Sequence, residues 1–70
     1  MNKPFLVKLG NHIRKLRKER KLTQDDIGIN GISRQMVSLI ELARTDITAS
    51  KLKAIADNLK IKVKDLFDFD

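Results

Sequence analysis

At 70 residues the chain suits one domain (1–70), whose small core calls for close helix packing or a partner subunit. With no cysteine and a single histidine, His12, it offers no disulfide, no thiol nucleophile and no residue set spaced as metal ligands, so no metal and no cofactor are expected. No apolar run reaches membrane-spanning length, and the first ten residues lack the sustained apolar stretch of a secretory signal; a cytoplasmic protein is expected. The net charge of +6 is unevenly placed: between Lys3 and Lys21 stand eight basic residues and one acid, Glu19, whereas the last residues carry Asp65, Asp68 and Asp70. A basic domain favours polyanions through counterion release, although a charge run alone marks only a solvated face.

The first periodic segment, about 5–20, repeats Leu6, Leu9, Ile13 and Leu16 at helical spacing. Gly10 weakens it slightly. Lys15 and Lys18 point away from the apolar stripe, Arg17 falls on its flank, and His12 reads as a surface residue. Thr23 with Asp26 three residues on has the form of a capping box and opens a short helix over 23–29. Asp25 and Asp26 suit the positive end of that helix, so they need not be paired catalytic carboxylates. The Asn30-Gly31 pair then signals a turn.

Ser33 caps the next helix, 33–42, with Met36, Val37 and Ile40 inward and Arg34, Gln35, Ser38, Leu39 and Leu42 outward. Thr48 caps a fourth helix, 48–59, along which Leu52, Ile55, Ala56 and Leu59 keep an apolar stripe. A last turn over 63–67 presents Val63, Leu66 and Phe67. The expectation is an all-α fold of five short helices, and there is no strand-period alternation to oppose it.

Two short helices joined by a glycine-containing turn, the second with a polar outer face, form a helix-turn-helix candidate. A helix fits the major groove, where arginine can pair with guanine and glutamine with adenine; Arg34 and Gln35 occupy the helix start that reaches base edges. Leu39 is expected to meet thymine methyl groups, and Leu42 suits either DNA or a protein contact. With three phenylalanines in all and only Phe5 inside the basic stretch, base stacking on single strands is a poor fit.

Two stretches, Arg14 to Ile27 with its Leu22-Thr23-Gln24-Asp25-Asp26, and Gly31 to Glu41 with its Ile32-Ser33-Arg34 and Ile40-Glu41, strongly resemble the Cro/repressor (xenobiotic-response-element) helix-turn-helix family. The resemblance runs from about Leu9 to Phe67. It implies that Arg34, Gln35, Ser38 and Leu39 face bases, that Gln24, Ser33, Arg44 and Thr45 face phosphates, and that Arg17 pairs with Glu41. It also implies a transcriptional regulator without catalysis, most simply a repressor binding a pseudo-palindromic operator in double-stranded DNA as a homodimer.

The C-terminal residues Leu66, Phe67 and Phe69 are assigned to the dimer surface. No separate oligomerisation or sensor domain is expected. The alternative from another class is an antitoxin-type protein that neutralises a partner toxin and autoregulates its operon, using Leu42 and the terminal phenylalanines. Four departures from the family pattern stand out. The interval from Gln24 to Gly31 is one residue short, which gives Ile29 a core role; Gly28 replaces a small residue, usually alanine; Ala43 replaces the glycine after helix three; and Ile47 replaces a proline before helix four.

Overall fold

The computed structural model describes residues 2–70. Among them are four α-helices and a closing 3-10 turn: α1 (Lys3–Glu19), α2 (Gln24–Ile27), α3 (Arg34–Glu41), α4 (Ala49–Leu59) and the 3-10 turn Val63–Phe67. No strand occurs among the described residues, and no helix is long and apolar enough to cross a membrane.

Local chemistry sets where the helices begin. The α1 start lies two residues earlier than the apolar stripe indicates, because Asn2 accepts a bond from the Phe5 N–H and Pro4 sits in the first turn, where no backbone donor is needed. Thr23, Ser33 and Thr48 are extended N-caps whose hydroxyls accept from Asp26, Met36 and Lys51. At α2 the box is reciprocal, for the Thr23 N–H donates to the Asp26 carboxylate at 2.7 Å. A helix of only four residues cannot repay its own nucleation, so this box and packing against α3 and α4 must hold it.

Helix ends are less conventional. The α1, α3 and α4 termini each close on a left-handed residue that is not glycine: Lys21 (φ 56°), Ala43 (φ 56°) and Lys60 (φ 60°). In each, the left-handed residue and its successor donate back into the last turn, as Ala43 N–H does to Ile40 O and Arg44 N–H to Leu39 O. Ala43 thus performs the turn that glycine commonly makes, and its methyl is buried.

The core joins Leu9 and Ile13 of α1, Ile27 and Ile32 around the turn, Val37 and Ile40 of α3, Ile55, Ala56 and Leu59 of α4, and Leu66. Met36, Leu52 and Ile47 lie half-buried against it. α1 crosses α3 where Gly10 allows it: a Cβ there would stand 2.5 Å from Ile40 O and 2.9 Å from Glu41 O. The glycine that costs helix propensity is what permits the helices to touch backbone to backbone.

Three expectations are corrected by the packing. Ile29 does not enter the core; it is 47 % exposed, and Ile32 fills the space instead because the turn ends before it. Leu66 is fully buried within its own chain, so it cannot be a subunit contact; the 3-10 turn spends it against α1 and α4. His12 is buried rather than superficial: its Nε2–H donates to Asp65 O at 2.9 Å, and its ring lies 5.7 Å from that of Phe69. Phe69 also meets Phe5, which stacks on Phe67 at 6.1 Å, so the beginning and end of the described chain form one aromatic clasp.

Candidate nucleic-acid interface

The outer side of α3 and the start of α2 form one continuous surface. Arg34 and Gln35 occupy the first turn of α3 and are exposed; Ser38 is half-buried, Leu39 is 39 % exposed and Leu42 is 56 % exposed. Among the described residues nothing buries the Arg34–Gln35 side. Two shallow depressions of about 190 and 210 Å³ run along it and share Gln24 and Ser38; Arg34 and Gln35 flank one, Arg14 and Leu42 the other.

Beneath this surface lies the ion pair that orders it. Arg17 Nε donates to Glu41 Oε2 at 2.7 Å and Nη2 to Oε1 at 3.0 Å, while Nη1 donates to Leu22 O at 2.8 Å. Both side chains are buried. Hydrogen bonding to Glu41 raises the Arg17 pKa above its already high ordinary value, so the guanidinium stays charged. The same carboxylate accepts from Gln24 Nε2 at 3.2 Å. An amide nitrogen has two hydrogens, so Gln24 is anchored by one and has a second left to donate.

The remaining sequence-assigned residues divide by what their protons do. Ser33 Oγ accepts from Met36 N–H at 3.0 Å, which leaves its own proton to donate outward. Arg44 is exposed without an ion-pair partner among the described residues. Thr45 donates its hydroxyl to Asp46 O at 3.1 Å, so a phosphate contact by that group requires it to rotate. Phe67 is exposed, whereas Phe69 is half-buried in the clasp. No group of three or more metal-binding side chains occurs among the described residues.

Some participants escape a reading of the sequence. Arg14, one turn before Arg17, lines the depression beside Gln24; following the helical face of Arg17 back by three residues would have found it. Asp25 stands 3.6 Å from Arg34 Nε, an exposed pairing across the turn. Gly28 is needed as glycine, not merely as a small residue: a Cβ would come within 2.7 Å of Arg34 N, so the alanine common in the family pattern would push against the first residue of α3.

Comparison with known proteins places this geometry. A helix-turn-helix family model matches residues 13–66, which span every element from the middle of α1 to the 3-10 turn. The fold is similar to the crystal structure of the restriction-modification controller protein C.AhdI from Aeromonas hydrophila, with a TM-score of 0.85 and 28 % identity over 89 % of this chain and 96 % of that one. No curated protein sequence matches the chain. The match over most of the chain and the α2–turn–α3 geometry together make this protein a member of the Cro/C1-type helix-turn-helix family of DNA-binding transcription regulators.

Proposed function

We propose that the chain is a sequence-specific binder of double-stranded DNA that represses transcription from a pseudo-palindromic operator, acting in the cytoplasm as a homodimer of single-domain subunits (1–70) without catalysis. The observation that carries this reading is the uncovered Arg34–Gln35 turn of α3, raised above a floor held by Arg17, Glu41 and Gln24. Arg34 and Gln35 supply donors and an acceptor that match purine edges, and Leu39 supplies an apolar contact for thymine methyl groups. Gln24, Ser33, Arg44 and Thr45, with Arg14 added, grip phosphates and set the register without reading sequence. The similarity to a restriction-modification controller protein supports a regulatory role.

A single module of this size makes few base contacts, so two copies on one duplex, with half-sites about 34–36 Å apart, supply the affinity. Of the residues assigned to the subunit contact, Phe67 remains available on the outside, stacked on the equally exposed Phe5. Selection of bound duplexes from a random pool at stated salt tests the whole reading. The expected outcome is an enriched, two-fold symmetric site with half-sites one turn apart. Enrichment of nothing removes sequence reading; enrichment of a single half-site removes the dimer.

A further inference from the structure

The turn between α2 and α3 depends on a residue from outside the helix-turn-helix unit. Asn58, near the end of α4, places its amide nitrogen 2.9 Å from Ile27 O and 2.9 Å from Ile29 O, while its amide oxygen accepts from Asn30 Nδ2 at 3.1 Å. Two turns earlier on the same helix, Lys51 Nζ donates to Gly31 O at 2.8 Å. Positions seven apart lie on one side of a helix, and buried Ile55 between them presses that side onto the core. The two side chains therefore tie down three of the carbonyls from Ile27 to Gly31.

Chemistry fixes the orientation of the Asn58 amide. Carbonyl oxygens only accept, so the nitrogen must face Ile27 and Ile29, and the oxygen is left for the Asn30 donor. The turn needs such a splint. It is one residue shorter than the family pattern, it passes through Asn30 at φ 54° and Gly31 at φ 91°, and it brings Gly28 against the Arg34 backbone with no room for a Cβ. With so little slack, any shift of Ile27–Gly31 passes to the first turn of α3, which carries Arg34 and Gln35. Hydrogen bonding to bases is steeply dependent on distance and angle, so the aim of that turn is part of the specificity.

We infer that Asn58 is a specificity-determining positioning residue: through Ile27 O, Ile29 O and Asn30 it sets the angle at which α3 meets the bases, although it touches no DNA itself. Lys51 is its weaker accessory. This inference rests on the proposal that α3 reads sequence.

The test measures binding of wild type, Asn58→Asp, Lys51→Met and Leu52→Ala to the duplex that wild type selects and to its single-base variants. Asn58→Asp keeps the shape, loses both donations and sets a carboxylate against two carbonyls. Its preference for the selected duplex over single-base variants at Arg34- and Gln35-contacted positions should fall about tenfold, or about 1.4 kcal/mol, with helical content retained. Lys51→Met should lose a smaller part of the same preference. Leu52→Ala weakens the core from the same helix and should leave the preference unchanged, which separates positioning from plain stability. Unchanged discrimination in Asn58→Asp overturns the inference; if that variant does not fold, unchanged discrimination in Lys51→Met does so. Failure of wild type to select any duplex instead overturns the DNA-reading proposal, an outcome visible before any variant is made.

Discussion

Arg17 and Glu41 meet as a fork on a carboxylate, with bonds of 2.7 and 3.0 Å, beneath the surface that Gln24 and Ser38 expose. Because both are buried, loss of one strands the charge of the other. Glu41→Ala should destabilise the fold by about 3–5 kcal/mol in chemical denaturation. The double replacement Arg17→Met with Glu41→Met should cost much less than the sum of the single changes, because neither charge is then orphaned. Additive losses would mean that the two side chains contribute independently.

Gly10 makes the opposite prediction from helix propensity. Alanine is the better helix former by about 1 kcal/mol, yet its methyl would enter the space of the Ile40 and Glu41 carbonyls. Gly10→Ala should therefore lower stability by about 1–3 kcal/mol, measured as a shift in urea midpoint at constant slope. A stabilised variant would show that α1 and α3 can separate without cost.

Asp26 gives the α2 cap an acid dependence. The Thr23 backbone N–H, and then its hydroxyl, favour the ionised carboxyl and hold its pKa below the ordinary range. A depressed folded-state pKa adds stability that is complete above the unfolded value of about 3.9 and disappears as pH falls through the lower folded value. The difference in Tm between wild type and Asp26→Asn should be constant near neutrality and shrink in acid. A difference that grows on acidification would reverse the sign and remove this role.

Arg34 and Arg44 should separate the two kinds of DNA contact. Arg34→Ala is expected to cost about 1–3 kcal/mol on the selected duplex and to relax preference at particular base pairs. Arg44→Ala should weaken all duplexes alike and reduce the salt slope by about one. Competition binding at several salt concentrations distinguishes them, and exchanged behaviours would exchange the assignments.

What could be read from the amino-acid order was what depends on near neighbours. Thr23, Ser33 and Thr48 announce their helices because a cap acts within three residues, and the helical spacing of apolar residues indicates an all-helical fold. What escaped depends on which distant segment arrives. Ile29 and Ile32 are equally apolar, and only the path of the short turn decides which is inside. His12 is polar and off the stripe, but the 3-10 turn folds over it and supplies a carbonyl. Gly10 and Gly28 look like weak points until the neighbouring backbones are in place. Asn58 has no local mark at all, since its partners lie about thirty residues away.

The stacking of Phe5 on Phe67, with Phe69 laid across Phe5 and His12, has a dynamic consequence. The first turns of α1 and the final residues shelter each other, so neither can fray alone: opening one end strips the other of its neighbours. Amide protons at these two distant stretches should therefore exchange with solvent as one cooperative unit, and trimming the last aromatic residues should loosen the N-terminal turns.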